Sequence, residues 1–580
     1  MRGGASPSTR AKIGYNTDMN QAVARLFRRI ATLLELKGES AYKTRAYRRA
    51  ADAIEALEEP IEALWKAGRL TEIPGVGTAI AKKIDEYLRT GQLGFLDRLE
   101  AEVPPSLLEI LALPGLGVKK VRRLWQELGI EDVAGLEQAA REGRLRTLPG
   151  FGAKTETLIL EAIRARRAQP TGFLLGEVYP RAQQVLERLR ALPEVARAEL
   201  AGSTRRGKAL VGDIDLLLAA EHPAETLRAA LAHLGLQGEV VQHPEYAETE
   251  TRLAEGFPLH LIATRPPRWG TAWVLSTGSA AHVRALGGEA ALPPQAPTEA
   301  ACYEALGLPW VPPELREGRG EVEAARQRRL PALVRSEHIR AELHSHSNWS
   351  DGRATIRQMA EAAIARGLQV LAITDHSQSL GVAHGLTPER LRAQREEIRR
   401  VQAELGDRIL LLQGAEVEIL ADGRLDYSDE VLAELDVVVA SLHTSLRQPR
   451  EQITARLLRA IRNPRVHIIG HPSGRLLPHR PGADLDWEAV LEAAATHRVA
   501  LEINAHPRRL DLADHLVQQA LARGIVLAVN TDAHAPADFD NRPYGILTAR
   551  RGWASAEDIL NAWPTDQLLA WLRRRPPLDT

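Results

Sequence analysis

The first 170 residues carry apolar side chains at the spacing of amphipathic helices. Residues 20–36 form one such run, and a second begins at residue 42. A motif of an apolar residue, Pro-Gly-x-Gly and a predicted helix occurs three times at intervals of about 35 to 40 residues, each copy followed by lysine. This regular recurrence indicates an internal repeat rather than isolated helix turns. Its glycines are Gly75, Gly77, Gly115, Gly117, Gly150 and Gly152.

After Pro170 the pattern becomes mixed. It predicts a helix over 178–192 and strands over 198–201, 210–219, 249–253 and 257–263. Residues 319–336 are strongly charged and mostly helical in pattern. Beyond them, apolar strands alternate with helices, which fits a barrel of parallel strands with its site at their carboxyl ends. These strands are predicted over 370–373, 409–412, 437–440, 466–469, 499–503 and 525–529.

Potential metal ligands follow the predicted barrel strands. A single histidine at a strand end is usually structural, but here six strand ends supply His, Asp or Glu. Nine ligands are too many for one divalent ion and fit two or three, with Glu416 as a bridge. Imidazole mixed with carboxylate favours Mn²⁺, Zn²⁺ or Fe²⁺ over Mg²⁺ alone. The nine are His344, His346, Asp351, His376, Glu416, His443, His471, Asp532 and His534.

A second candidate site lies in the segment 202–215. Asp213 and Asp215 are two apart on a predicted strand, so both carboxylates face one side and suit Mg²⁺ or Mn²⁺. Gly202, Ser203, Arg206 and Gly212 suit nucleotide phosphates through a turn, a helix start and a guanidinium. The alternative is a surface hairpin with ordinary turn acids, but this combination in this order is far rarer.

Composition narrows the class of protein. The chain has 580 residues, 44% of them hydrophobic, and a single cysteine, which fits a multidomain globular protein of a reducing compartment. We find no long apolar run and no signal peptide, which predicts a bacterial-type cytoplasmic protein that does not contact membranes. Net charge is zero overall, yet residues 1–170 contain 28 Lys and Arg against 22 Asp and Glu.

The segment 202–215 resembles the palm signature of family X DNA polymerases, and the repeated hairpins resemble their helix-hairpin-helix grips on DNA phosphates. The resemblance implies that Lys83 is the Schiff-base lysine of a lyase module, with Lys43 and Lys82 lowering its pKa. It implies that Tyr47 flanks a 5′-phosphate pocket. Ala79 departs from a lysine that is frequent in the family. The alternative, in which Lys83 only contacts a phosphate, stays open.

The palm also departs from the family. His260 stands where the family has a third catalytic aspartate, and Leu275 and Ser276 replace two aromatic residues before the nucleotide-binding Thr277 and Gly278. The downstream asparagine and arginine positions are Val283 and Gly287. A histidine adds no negative charge and suits Mg²⁺ poorly. We therefore expect weak, Mn²⁺-favouring nucleotide transfer, or none.

The C-terminal region resembles the PHP (polymerase and histidinol phosphatase) domain fused to bacterial family X polymerases, and all nine ligand positions carry over. Glu342 is the one nearby departure, where aspartate is common. The resemblance implies a metal-dependent phosphoesterase that acts on DNA 3′ ends.

The expected fold is multidomain, with a helical helix-hairpin-helix N-terminal part, an α+β nucleotidyltransferase palm and a C-terminal α/β distorted (β/α) PHP barrel. The expected domains are lyase-like 1–95, fingers-like 96–170, palm 171–265, thumb 266–320, linker 321–338 and PHP 339–580.

The expected function is DNA repair. A family X polymerase would add nucleotides at short gaps with Mn²⁺ or Mg²⁺ at the palm, and the PHP domain would act as a 3′–5′ exonuclease. The expected partners are gapped or nicked DNA and dNTPs, for a monomer in the bacterial cytoplasm, associated with the nucleoid. Two alternatives are a polymerase-dead scaffold that delivers DNA ends to an active nuclease, and a barrel that hydrolyses small phosphate esters.

Overall fold

The computed structural model describes residues 17–55, 57, 60–113, 115–168 and 172–573. They form two compact units, with the boundary between residues 169 and 170. Pro114 of the second hairpin, the first 16 residues of the expected 1–95 domain and the last seven of the chain lie outside the described residues. Among the described helices, none has the length and apolar character needed to cross a bilayer.

The first unit is built from nine helices among its described residues, as the apolar spacing predicts. Their buried faces form one continuous core that includes Phe27, Ile54, Ile84 and Leu124. The helices are α1 Thr17–Lys37, α2 Ala41–Glu55, α3 Ile61–Lys66, α4 Thr78–Thr90, α5 Gly94–Glu102, α6 Leu107–Leu111, α7 Val118–Leu128, α8 Val133–Arg141 and α9 Ala153–Ala168.

The second unit begins with the palm. Its five-stranded mixed sheet has the order β2-β4-β7-β6-β5. The elements are β1 Phe173–Leu174, α10 Leu175–Arg190, β2 Arg197–Leu200, α11 Gly202–Arg205, β3 Leu210–Val211, β4 Ile214–Ala219, α12 Pro223–Leu234, β5 Val241–Gln242, β6 Tyr246–Arg252 and β7 Pro258–Thr264.

The strand predicted over 210–219 is wrong as a single element. It is two strands, β3 and β4, separated by a bend at Gly212 and Asp213. β3 pairs with β1 in a separate two-stranded sheet, whereas β4 lies inside the five-stranded sheet. The chain therefore has to turn between two sheets, and Asp213 stands at that turn instead of on the strand.

Short helices follow the palm and surround a second core around Cys302 and Tyr303. They are α13 Trp269–Thr277, α14 Ala280–Ala285, α15 Glu299–Ala305 and α16 Glu321–Arg326. The mostly helical pattern predicted over 319–336 is wrong beyond the six residues of α16. Val322 of that helix is buried because it joins this core, and Glu321 is buried beside His282, whose Nδ1 lies 2.6 Å from Glu321 Oε1.

The C-terminal region is a nearly closed barrel of seven parallel strands in chain order, β8 to β14. A parallel bridge between Ser345 and Ala533 brings the two edges together. The strands are β8 Ala341–Glu342, β9 Val370–Ile373, β10 Leu410–Glu418, β11 Val437–Ser441, β12 Ile468–Ile469, β13 Ala500–Asn504 and β14 Leu527–Asn530. Almost every residue of these strands is buried, because both faces of the sheet are covered.

Helices surround this barrel, as in other parallel-strand barrels. They are α17 Ile356–Ala365, α18 Pro388–Leu405, α19 Asp429–Ala433, α20 Arg450–Ile461, α21 Trp487–His497, α22 Asp514–Leu521, α23 Arg542–Arg551 and α24 Thr565–Arg573. Helix α23 also packs against the palm, where Leu547 covers Gly207. A Cβ on that glycine would lie 3.1 Å from Leu547, and its φ of +68° also favours glycine.

Candidate metal centre and nucleotide site

The nine predicted metal ligands come together at one mouth of the barrel. Parallel strands end on the same side, so side chains that are distant in sequence become neighbours there. Glu416 lies inside β10 instead of after it, because that strand continues to residue 418. Seven of the other eight follow strand ends, and Asp351 precedes α17.

Eight of these side chains form three overlapping groups whose ligand atoms lie within 4.8 Å of one another. His346, His376 and Glu416 each belong to two of the groups, which is the arrangement of a cluster with bridging ligands. His471 adjoins them, with its Nε2 2.9 Å from Glu416 Oε1. The groups are His346, Asp351, His376 and His534; His344, His346, Glu416 and Asp532; and His376, Glu416 and His443.

Several buried atoms of this centre lack a hydrogen-bond partner. They include His344 Nε2, His346 Nδ1, His376 Nδ1 and Glu416 Oε2. Buried polar atoms are nearly always satisfied, so orphaned atoms in one cluster require an explanation. Divalent cations bound between them would satisfy all four, and imidazole with carboxylate is a donor set that transition metals accept.

The histidines of the centre keep the carboxylates of Glu416 and Asp532 ionised. Burial works to raise the pKa of Glu416, but the surrounding His443, His344 and His376 hold it well below its usual value. The pKa of Asp532 is also held well below its usual value, mainly by His344 against the effect of burial. Burial and the neighbouring His534 and His376 lower the pKa of His346 to about 3, so this imidazole is neutral and able to bind a metal.

A second layer of carboxylates fixes the histidine rings. Glu502 Oε1 lies 2.7 Å from His344 Nδ1, and Glu418 Oε2 lies 2.7 Å from His443 Nδ1. Such partners orient a ligating imidazole and set its tautomer. The sequence analysis missed both, although a glutamate within a buried apolar strand was a visible signal.

Two ligand positions have an unusual backbone. His471 has φ of 27° and Asp532 has φ of 54°, and both are non-glycine residues. Residues held in such regions concentrate at functional sites, where the surrounding structure fixes them. Asn504 contributes here by donating from Nδ2 to Asp532 Oδ2 at 3.1 Å.

The palm residues Asp213, Asp215 and His260 are also brought together. Asp215 and His260 are direct neighbours on the parallel strands β4 and β7. Burial and the nearby Asp215 raise the pKa of Asp213. Gly202 permits this arrangement, since a Cβ there would lie 1.7 Å from Asp215 Oδ2 and its φ is +55°.

His260 is held by carboxylates on both sides. Its Nδ1 lies 3.1 Å from Asp215 Oδ1 and its Nε2 lies 3.3 Å from Glu248 Oε2. The hydrogen bond to Asp215 raises the pKa of His260, against the opposing effect of burial. A protonated His260 therefore neutralises one of the two acids that a cation would use. Glu248, on the polar face of β6, was not identified from the sequence.

The predicted nucleotide-binding residues are only partly exposed to a ligand. Arg206 Nε lies 2.9 Å from Glu317 Oε1, and Arg206 Nη1 donates to Thr277 O at 2.7 Å. Thr277 is fully buried, and its hydroxyl accepts from Arg205. Ser203 and Gly212, by contrast, line a cavity of about 270 Å³. Gly278 borders a separate cavity with Leu275 and Ser276.

In the first unit, Lys83 lies on α4 with its Nζ 4.7 Å from the centre of the Phe95 ring. Burial lowers its pKa, and Lys43 and Arg98 lower it further against the opposing charge of Glu86. Arg98, not the predicted Lys82, is the second cation near this amine. Tyr47 is largely buried, and its ring stacks on the ring of Phe95 with 6.1 Å between the ring centres.

The three hairpins share one geometry. Gly75, Gly115 and Gly150 have φ near +80° to +90°, which non-glycine residues rarely adopt. Gly77 and Gly117 are N-caps without a side-chain cap, and Gly152 directly precedes α9. A Cβ on any of these last three would meet nothing within 4 Å. Each helix start is therefore open to an anion at its free N–H groups.

Comparisons with known proteins agree with these features. Residues 18–93 match the model of a helix-hairpin-helix domain, 107–165 a SAM-like helix-hairpin-helix tandem, and 342–506 the PHP domain. The DNA polymerase/3′-5′ exonuclease PolX of Bacillus subtilis is 37% identical over 579 residues, covering 95% of this chain and 99% of that protein.

The barrel also resembles smaller proteins. A probable phosphatase of Thermoanaerobacter sp. is 30% identical over 233 residues, which is 38% of this chain and 89% of that protein. A probable phosphatase of Caldanaerobacter subterraneus is 34% identical over 206 residues, 33% of this chain and 75% of that protein. Because the likeness to PolX extends over nearly the whole of both chains, this chain belongs to the PolX family, the bacterial family X DNA polymerases with a C-terminal PHP domain.

Proposed function

We propose that this protein is a DNA repair enzyme that trims DNA 3′ ends at the barrel and adds nucleotides at short gaps in the palm. The observation that carries the proposal is the set of three overlapping ligand groups, two of which contain Glu416. Such a cluster suits hydrolysis of a phosphate ester, and the Bacillus subtilis relative is named a 3′-5′ exonuclease as well as a polymerase.

We assign all nine ligand side chains to two or three divalent ions of the Mn²⁺, Zn²⁺ or Fe²⁺ type. Ions in this centre would supply a hydroxide at neutral pH and stabilise the leaving oxygen. Asp351 and His534 are each one-third exposed, whereas His344, His346 and Glu416 are buried. The DNA end would therefore approach from the side of Asp351 and His534. Glu502 and Glu418 keep the buried rings aimed inward during this step.

The three hairpins would hold the DNA substrate. Their open helix starts offer N–H groups to backbone phosphates, without contacts that read the bases. The proposed partners are gapped or nicked DNA and dNTPs, bound by a monomer in the bacterial cytoplasm, associated with the nucleoid. Affinity for DNA would be insensitive to sequence and would fall with salt.

Nucleotide transfer in the palm would be weak and would favour Mn²⁺. Asp213 and Asp215 would hold Mn²⁺ or Mg²⁺, but His260 replaces an acid and pairs with Asp215. Catalysis of phosphoryl transfer depends mainly on metal-borne and electrostatic stabilisation, so a lost negative charge is costly.

One assay tests both activities. A one-nucleotide-gapped duplex, labelled at the primer 5′ end, is incubated with Mn²⁺ or Mg²⁺, with and without dNTPs. Primer shortening should disappear in His344→Ala/His346→Ala, and lengthening should disappear in Asp213→Ala/Asp215→Ala. His233→Ala, which removes an exposed histidine of α12, is the control. Shortening that persists in the histidine double variant would overturn the barrel assignment.

The alternative function is a polymerase-dead scaffold that delivers ends to the nuclease. Two ion pairs favour this alternative: Arg206 with Glu317, and His260 with Asp215. Arg206 is then not free to bind a phosphate, and Asp215 is not free to bind a cation. Shortening without any lengthening, in either metal, would establish this alternative. Activity on small phosphate esters but none on DNA would instead favour a phosphatase.

A lyase activity is a further candidate, favoured by the lowered pKa of Lys83. A less basic amine is more often neutral and can attack an abasic sugar aldehyde. Borohydride should trap a covalent adduct on an incised abasic duplex, and Lys83→Ala should abolish it. Lys66→Ala, on another helix of the same unit, is the matched control. An equal adduct in both variants would remove Lys83 from this role.

A further inference from the structure

The cavity beside Ser203 is shared by the palm and the PHP barrel. Its palm wall comprises the turn from Gly207 to Leu210 together with Gly212, and its other wall comes from loops and helices of the barrel. The barrel contributes Arg475, His515 and Arg551, and Arg319 enters from the segment between the domains. One cavity therefore adjoins a predicted nucleotide-binding loop and a second domain.

Positive charge predominates around this cavity. Arg551 lies 2.7 Å from both Glu317 and Asp514, and Arg319 lies 3.0 Å from Asp514. With Arg206, which also pairs with Glu317, these are three cations for two carboxylates. The network thus has an excess of one positive charge before the remaining basic residues of the wall are counted.

Two further cations lack a carboxylate partner. Lys208 is exposed at the cavity, and Arg475 donates from Nε to Arg509 O at 2.7 Å. Neither makes an ion pair with a carboxylate among the residues that the structure describes. In addition, Arg319 Nη1 is buried without a hydrogen-bond partner. Leaving a buried N–H group without an acceptor is costly, and an anionic ligand in the cavity would accept from it.

Arg206 is already engaged within the protein, which limits the side chains that can hold a phosphate in this cavity. Its guanidinium already serves Glu317 and Thr277 O, so it is not free to hold phosphate. Lys208 and Arg319 line the same cavity as Ser203 and Gly212, so they can bind a phosphate where Arg206 cannot. A chain of phosphates that begins at Ser203 would meet them next.

We propose that this cavity binds the terminal phosphates of the incoming nucleotide, with Lys208 and Arg319 as their principal cationic contacts. The PHP barrel then forms part of the nucleotide site through Arg475, and Arg551 holds the wall of the cavity in place through Glu317 and Asp514. This inference rests on the proposed nucleotide-transfer function and names the residues that hold the phosphate end of the substrate.

The test measures binding of inorganic tripolyphosphate to the full chain by calorimetry. Wild type should bind it, and Lys208→Gln and Arg319→Gln should each weaken binding about tenfold, as expected for loss of a charge-assisted hydrogen bond. Arg399→Gln, an exposed arginine of α18 outside the cavity, should not change it. Lys208 is exposed and unpaired, so its variant remains informative if Arg319→Gln folds poorly.

The outcomes separate this proposal from the polymerase itself. Asp213→Ala/Asp215→Ala should lose nucleotide addition yet keep tripolyphosphate binding, so the cavity can be confirmed even if no transfer occurs. Absence of tripolyphosphate binding in wild type, or equal binding by Lys208→Gln and wild type, would overturn the proposal. Loss of affinity for gapped duplex in Lys208→Gln with unchanged tripolyphosphate binding would also overturn it and assign the cavity to DNA.

Discussion

The barrel mouth and the palm both combine histidine with acidic side chains, but the histidines have opposite roles. At the barrel, Glu502 and Glu418 occupy the outer ring nitrogens of His344 and His443, so the inner nitrogens are available to a metal. In the palm, both nitrogens of His260 face carboxylates, one of which is Asp215 itself. His344 and His443 are therefore placed as candidate metal ligands, whereas His260 lies where it would compete with a cation for Asp215.

The two regions also differ in how their charged side chains are engaged. The palm keeps its sheet and the glycine beneath Asp215, and its arginines are bound into ion-pair networks with neighbouring helices. In the barrel, all nine candidate ligand side chains lie together at one mouth. The arginines of the palm are thus engaged within the protein, whereas the candidate ligands of the barrel converge on one another.

The largest expected effect is on the barrel. Glu416→Gln should lower 3′–5′ hydrolysis on the order of 10³-fold, because it removes the negative charge shared by two ligand groups. Nucleotide addition in the palm and affinity for gapped DNA should be unchanged. A gel assay on 5′-labelled duplex measures all three effects. Hydrolysis at the wild-type rate would contradict the bridging role.

Acid should destabilise the second unit through Glu299, the α15 carboxylate that pairs with Arg205 of the palm. Burial acts to raise its pKa, but hydrogen bonds and charge from Arg205 and Arg316 lower it to about 2. A carboxyl with a depressed folded-state pKa stabilises the fold above its unfolded pKa of about 4.5, and this contribution is lost as pH falls toward 2. It amounts to about 3 kcal/mol.

Urea unfolding monitored by tryptophan fluorescence at pH 7, 4 and 3 measures this loss. Trp310 reports on the site because its Nε1 donates a hydrogen bond to Glu299 Oε2 at 3.1 Å. Glu299→Gln should be less stable at pH 7 and should depend less on pH in this window. Glu304→Gln, an exposed residue of the same helix, is the control. A wild-type stability that does not change between pH 4 and pH 3 would contradict the assignment.

An intermediate effect is expected from the second layer. Glu502→Gln should reduce metal affinity and hydrolysis roughly 10- to 100-fold, since such partners orient the ligating imidazole. Titration with Mn²⁺ and the hydrolysis rate at saturating Mn²⁺ separate the two. Glu492→Gln, exposed on α21, should change neither. Full activity at low Mn²⁺ would show that His344 needs no support.

The smallest effect tests the palm directly. His260→Asp should raise nucleotide insertion about tenfold with Mg²⁺, because it restores an acid and frees Asp215 from its partner. His233→Asp, at an exposed position of α12, is the matched control. Single-nucleotide insertion on a gapped duplex measures the gain. An unchanged rate would indicate that the replaced aromatics at Leu275 and Ser276 limit the palm instead.

The sequence predicted much of the fold. Helix spacing predicted the first two helices of the first unit and the helix after each hairpin, and β/α alternation predicted the barrel, because each pattern reflects which face of an element is buried. The prediction failed at residues 210–219 and 319–336. In both places a turn is required by pairing or packing with distant segments, which local periodicity does not encode.

The candidate sites were predicted unevenly for the same reason. Spacing and residue type sufficed to predict that the nine candidate ligands lie together, since parallel strands bring their ends together whatever the intervening sequence. Glu502, Glu418, Glu248 and Arg98 were missed, because each acts through a neighbour that is remote in the chain.

The sequence by itself determined the helix-hairpin-helix repeats, the acidic palm segment and the ligand set of the barrel, since these depend on local backbone geometry and residue chemistry. Only the tertiary structure decided how those groups are used. It paired His260 with Asp215, engaged Arg206 with Glu317 and joined the palm and barrel around one basic cavity. Charges interact through space over a few ångströms, and that proximity is created by packing between segments far apart in the chain.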